Sequence, residues 1–172
     1  MPTYTIVPPE QLNVIGAALA ANPKYAASHG VTHCNEFLDA FAVRTFDYHG
    51  FAGHMANEIA AFLKGGGDDW KSLWLTGPGG DLAAAFASAQ DLANQGYFVV
   101  AGLGTSGPHG HCAVVVTGAL THSGTWAAAA LPEMLPMIAQ AGEETFCGKH
   151  LGYGFSPAKC QAGEFGLYVR KP

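Results

Sequence analysis

Two residues of this sequence combine the chemistry and the local setting that thiol-based hydrolysis needs. Cys34 precedes Phe37, Leu38, Phe41 and Ala42, which recur at helical spacing, so the spacing predicts that Cys34 sits in the first turn of a helix. A thiol there faces unpaired backbone N–H groups and the positive end of the helix dipole, and both favour thiolate over thiol. His111 follows Pro108-His109-Gly110 and opens His111-Cys112-Ala113-Val114-Val115-Val116-Thr117, a run that reads as a strand. A histidine at a strand's first position can reach the end of a helix packed on the sheet, which gives the Cys/His pair of thiol hydrolases. The two are distant in sequence and meet only through the fold. Taken one at a time, Cys34 also reads as a small packed side chain and His111 as a surface-loop histidine.

The remaining candidates make weaker patterns. Cys34, Cys112, Cys147 and Cys160 contain no C-x-x-C pair, so neither a disulfide scaffold nor a structural zinc site follows from them. Cys112 and Cys147 read as small buried apolar side chains, and a single bridge between Cys147 and Cys160 stays open. His109 and His111 alternate and, with His122 or His150, would make a metal site on a continuous strand. The glycine and proline around His109 mark a loop instead, and no carboxylate is near, so no metal or other cofactor is expected. His29, His49 and His54 sit in turn-like sequence and read as surface or cap residues. Gly77-Pro78-Gly79-Gly80 lacks the Lys-Ser/Thr of a phosphate loop, which leaves nucleotide binding unsupported. Trp70, Trp74 and Trp126 read as core or cleft-lining residues.

Several elements must position the pair. Pro8-Pro9-Glu10 opens a helix to about Ala21, with Leu12, Ile15 and Leu19 on one face. The Cys34 helix follows, and then a third with Met55, Ile59, Phe62 and Leu63 on its stripe, stopping at Lys64-Gly65-Gly66-Gly67. Asp68-Asp69 reads as a solvated loop capping a helix into Trp70-Lys71. Asp81 caps a fourth helix with Leu82, Phe86, Ala89 and Ala93 on one face, closed by Gly96. Tyr97 to Leu103 is a continuous apolar run suited to a buried strand, His111 to Thr117 is its hairpin partner, and Phe165 to Arg170 is a third strand. The order predicts an α+β fold, with N-terminal helices packed on a small antiparallel sheet, in one domain spanning residues 1–172. The 172 residues are 49% hydrophobic and 12% charged, enough for one sizeable core. A net charge of −5 with 8 Lys+Arg argues against nucleic acid as a partner. No apolar run reaches the ~18 to 20 residues of a membrane span, and Met1-Pro2-Thr3-Tyr4 does not read as a signal peptide, so no membrane insertion is expected and the chain is expected in its producer's cytoplasm.

An ordered set of motifs adds to this reading. Thr32-His33-Cys34-Asn35-Glu36-Phe37 resembles the nucleophile motif of NlpC-type and CHAP-type peptidoglycan hydrolases, in which a cysteine followed by a small polar residue opens a helix. Met55-Ala56-Asn57-Glu58-Ile59, Trp70 and Ala93-Asn94-Gln95-Gly96-Tyr97-Phe98-Val99-Val100-Ala101-Gly102-Leu103 follow in order. Gly110-His111-Cys112-Ala113-Val114-Val115-Val116 is similar to a Gly-His-Val-Ala-Val-Val histidine strand. Together they resemble the type VI secretion amidase effectors, antibacterial toxins of the papain-like superfamily that act in the recipient's periplasm. The resemblance implies that Cys34 is the nucleophile and His111 the general base, and that the Cys34 N–H is an oxyanion donor, with Asn35 or His33 as a possible second. It implies cleavage of an amide in the peptidoglycan stem peptide: the γ-D-glutamyl to diaminopimelate bond first, with the D-Ala to diaminopimelate cross-link and the muramoyl-L-Ala bond as alternatives. It also implies delivery by a secretion apparatus and a cognate immunity protein that plugs the cleft. Related enzymes orient the histidine with a polar residue on the next strand, but Thr117, Thr121, His122, Ser123 and Thr125 stand at no fitting spacing, so that role stays unassigned. The reading from another class is a non-catalytic binding module with the same fold.

Overall fold

The structure, a computed structural model, describes residues 5–75 and 80–171. The Gly77-Pro78-Gly79 stretch and Met1-Pro2-Thr3-Tyr4 lie outside the described residues. Helix α1 (Glu10–Ala20) starts directly after Pro9 and buries Leu12, Gly16 and Leu19. Helix α2 (Cys34–Phe46) buries Cys34, Phe37, Leu38, Phe41, Ala42, Thr45 and Phe46, and Asp47 ends it in the left-handed region. Helix α3 (Ala56–Gly65) ends at Gly66, at φ +74°. Its buried face is Ala56, Ile59, Ala60 and Leu63, whereas Met55 precedes the helix and is 57% exposed and Phe62 is 36% exposed. This departs from the expected stripe because the helix turns its small Ala60 toward the sheet.

Strand β1 (Trp70–Leu75) replaces the helix expected at Trp70-Lys71. Asp68 and Asp69 both adopt positive φ and turn the chain into the strand, and an irregularity between Ser72 and Trp74 breaks the alternation that would have marked it. Helix α4 (Leu82–Asn94) is capped by the Asp81 side chain, which accepts from the Ala84 N–H at 3.1 Å. It closes at Gly96, where φ is +87° and a Cβ would stand 1.8 Å from the Val7 carbonyl oxygen. Strand β2 (Val99–Gly104) and β3 (His111–Val115) form the expected hairpin, pairing Val100 with Val114 and Leu103 with His111. The chain continues through β4 (Thr121–His122), α5 (Gly124–Ala128), β5 (Met134–Leu135), β6 (Met137–Gln140), β7 (Phe146–His150), α6 (Pro157–Ala162) and β8 (Glu164–Arg170).

The fold is mixed α+β, built on a six-stranded antiparallel sheet of order β1-β8-β2-β3-β6-β7, with β4 and β5 forming a separate pair. The sheet is twice the expected size, and α4, α5 and α6 alternate with strands instead of all preceding them. Its two faces are fixed by register. Gly102 and Cys112 are cross-strand partners, so they share a face, and Gly102 lies against Ala60 of α3. Leu103 pairs with both His111 and Phe165, which places these three on the opposite face. There Phe165 packs on Phe155 at 5.4 Å between centroids, and Phe86 of α4 packs on Trp126 of α5 at 5.7 Å. The other end of the core is an aromatic cluster in which Phe98 stacks on Phe46 at 4.4 Å and meets Trp70 edge-on at 5.0 Å.

Candidate active site

Helix α2 begins without a side-chain cap: His33 occupies the cap position but makes no cap hydrogen bond, and its Nδ1 meets Glu36 Oε1 at 3.2 Å instead. The first-turn amides, which have no partner inside the helix, are thereby left to face an anion. Cys34 heads this turn and is 5% exposed. Its thiol lies against the first two residues of β3. The Cys112 thiol and the His111 imidazole both act on it in favour of the thiolate. These contacts, with a further one from the Cys112 backbone, outweigh the opposing effect of burial and hold the Cys34 thiol well below the usual cysteine range. Cys112 shifts the other way, well above its ordinary value, because Cys34 acts on it in the opposite sense and it is fully enclosed. The site thus keeps one sulfur as a thiolate and the other as a thiol.

His111 is held from behind by Gln140, the last residue of β6. Gln140 is buried, and its Nε2 donates to the Glu144 carbonyl at 3.0 Å, which fixes its Oε1 as the acceptor facing the histidine ring. His111 Nε2 meets that oxygen at 2.7 Å, so the proton sits on Nε2 and Nδ1 is left for the thiol. Phe155 covers the ring, 4.7 Å away between centroids, and its own carbonyl accepts from Trp126 Nε1 at 3.0 Å. Two glycines make room for the pair: a Cβ at Gly154 would stand 1.8 Å from Gln140 Oε1, and one at Gly142 would stand 3.0 Å from Gln140 Nε2 and 3.3 Å from His111 Cε1. Buried Gln90 of α4 locks β6 in place, donating to the Val116 carbonyl at 2.9 Å and accepting from the Met137 N–H at 2.9 Å.

The loop that delivers His111 is pinned to α3. Asn57 accepts from the Thr105 N–H at 2.9 Å and donates to the Gly107 carbonyl at 2.8 Å. Thr105 Oγ1 bonds the carbonyls of Gly107 and His109. Gly110 passes so close that a Cβ would lie 2.4 Å from Asn57 Oδ1.

Of the oxyanion candidates, the Cys34 backbone N–H stands at the helix start, where no intrahelical acceptor exists. Asn35 does not offer a second donor, because its side-chain N–H groups go to the His54 carbonyl at 3.1 Å and the Met55 sulfur at 3.8 Å, tying α2 to the approach of α3. His33 is turned to Glu36. All four cysteines are free thiols: Cys147 lies on β7 against Asn13 and Gly16 of α1, while Cys160 is in α6 beside β8, at the other side of the sheet. Burial pushes Cys147 up to about 11 and Cys160 up to about 12. His122 faces Glu133 and His150 accepts from the Gly152 N–H, so neither joins His109 or His111, and no three metal-ligating side chains converge among the described residues. A cleft of about 350 Å³ opens on the other side of α2, lined by Lys24, Tyr25, Asn35, Asp39, Phe51 and His54. It shares Asn35 with the α2 terminus but includes neither Cys34 nor His111.

Two members of the site escape the sequence reading. Gln140 carries one signal, a polar residue ending the apolar run Met137-Ile138-Ala139 between Pro136 and Gly142. Cys112 is buried, as expected, but its contact with Cys34 has no signature in the sequence. The arrangement supplies an activated sulfur nucleophile, an imidazole with an assigned tautomer, and a helix terminus at which negative charge is stabilised. The chain matches no protein-family model, and no curated protein matches it.

Proposed function

We propose that this protein is a papain-like cysteine amidase that hydrolyses an amide in the peptide stem of peptidoglycan, at the γ-D-glutamyl to diaminopimelate bond. The observation that carries the reading is the relay Cys34, His111, Gln140: a thiol at an uncapped helix terminus, an imidazole in contact with it, and an amide behind the ring that fixes its tautomer. The ordered motifs around Cys34, Asn57 and His111 supply the substrate class.

In this mechanism the Cys34 thiolate attacks the stem carbonyl, and the oxyanion that forms is stabilised by the Cys34 N–H and the α2 dipole. His111 passes the thiol's proton to the departing amine through Nδ1, and the C–N bond breaks to leave an acyl-enzyme. Water, deprotonated by the same nitrogen, then releases the acid and restores the thiolate. Gln140 touches no substrate; it keeps Nε2 protonated and holds the ring from behind. The protein acts as an antibacterial toxin, carried by a secretion apparatus into the recipient's periplasm, and an immunity protein in the producer covers the surface over Cys34 and His111.

Mass spectrometry of muropeptides from isolated sacculi tests the reading. The expected product exposes a new amino terminus on diaminopimelate. A new terminus elsewhere in the stem would move the assignment to the cross-link or the muramoyl-L-Ala bond, and an unaltered muropeptide profile would overturn it.

A further inference from the structure

The cleft on the far side of α2 takes no part in the mechanism above. At about 350 Å³ it stands at the small end of ligand pockets, which run from ~300 to ~1,000 Å³, so it fits a small molecule and not a sugar chain. Lys24 and Tyr25 form one wall, Asn35 and Asp39 on one face of α2 a second, and Phe51 and His54 a third. Most of its polar groups are already committed. Asn35 donates to the His54 carbonyl, Glu36 meets the His33 ring, and the His54 ring faces Glu58 at 3.7 Å. Two are not. Asp39 Oδ1 is buried and has no hydrogen-bond partner. Lys24 enters no ion pair among the described residues, and its ammonium is held over the Tyr25 ring, 5.4 Å from the centroid.

A cation and a carboxylate that line one cavity, neither closing on the other nor on a charge elsewhere, are the complement of a zwitterion. We propose that this cleft binds an amino-acid centre, a carbon that carries both an ammonium and a carboxylate, with Asp39 receiving the ammonium and Lys24 the carboxylate. Tyr25 and Phe51, both almost fully buried, give rigid walls for the carbon skeleton. Burial raises the Asp39 carboxyl above its usual value, and His49, which is bonded to Asp47, offsets this only in part. An ammonium in the cleft restores the stabilisation that burial removes from the Asp39 charge. Free amino acids and the diaminopimelate of peptidoglycan stems both carry such a centre. The inference goes beyond the amidase reading: the cleft includes neither Cys34 nor His111, and binding is read without turnover, so either can fail while the other stands.

The test is titration of the whole protein with meso-diaminopimelate and with L-alanine, followed by the amide resonances of Asn35, Ala40, Gly53 and His54. Saturable shifts at these amides are expected. Cadaverine, which has only ammonium groups, and pimelate, which has only carboxylates, should bind at least about tenfold more weakly than meso-diaminopimelate. Asp39→Asn should weaken binding at least about tenfold, because its carboxylate is enclosed, and Lys24→Gln about threefold, because its side chain is exposed. Tighter binding of meso-diaminopimelate than of L-alanine assigns peptidoglycan fragments as the source, and equal or weaker binding assigns free amino acids. No saturable shift at the cleft, cadaverine or pimelate binding as tightly as meso-diaminopimelate, or unchanged affinity in both variants would overturn the proposal, and the wild-type titrations alone decide it if a variant fails to fold.

Discussion

Cys34 owes its character to position: a thiol at an uncapped helix start, with the Cys112 thiol and the His111 imidazole acting on it, is stabilised as its thiolate. Because the folded-state value is depressed, the thiolate persists as pH falls and is lost only in acid. Between about pH 8 and pH 6 an ordinary cysteine loses about a hundredfold in alkylation rate. Cys34 should lose less than about tenfold over that span, measured by iodoacetamide labelling and peptide mapping, and a hundredfold loss would show an inert thiol packed in a core. Gln140→Ala should lower kcat by roughly ten- to a hundredfold with KM nearly unchanged, because it frees the ring without touching substrate. Cys34 and His111 are legible in the sequence because each sits at an element boundary that local pattern marks. Gln140 and the Cys34–Cys112 contact are not, because they depend on which strands become neighbours, and no local pattern records that.

At the scale of elements, the site is assembled by parts that hold one another in register. Gln90 fixes β6, Asn57 fixes the loop before β3, and Gly154 leaves the space into which the Gln140 amide fits. Gly154 has φ −114°, a conformation open to any residue, so Gly154→Ala acts through the clash with Gln140 alone. The variant should lose about 1–3 kcal/mol of stability in denaturant unfolding and, while still folded, should show the kcat loss of Gln140→Ala. Wild-type kcat in folded Gly154→Ala would mean that the amide does not position His111. The first four helices were legible because their boundaries and periodicity agree, as at Asp81 and Gly96, whereas the short α5 and α6 carry too few residues to show a period. The strands β1, β6 and β7 were not: β1 carries an irregularity after Ser72, β6 is four residues long, and β7 contains Gly148 at φ +90°. The face of α3 turned out rotated because Ala60 packs against Gly102 and Gly104 of β2, a pairing set by the partner strand and not by the helix's own sequence.

At the scale of the whole molecule, a chain that is 49% hydrophobic and 12% charged folds around a six-stranded sheet covered by helices, and the relay forms where the start of α2 meets β3 and the end of β6. The α+β class was readable from helices preceding a buried hairpin, whereas sheet order required the long-range pairings of β8 with both β1 and β2. No helix among the described residues is long and apolar enough to cross a membrane. The most direct test compares wild-type protein with Cys34→Ala in the release of stem-peptide fragments from purified sacculi. Release by the wild type and a loss of at least about a thousandfold in the variant is the result expected of a thiol nucleophile. Fragment release that persists undiminished in Cys34→Ala would contradict the account.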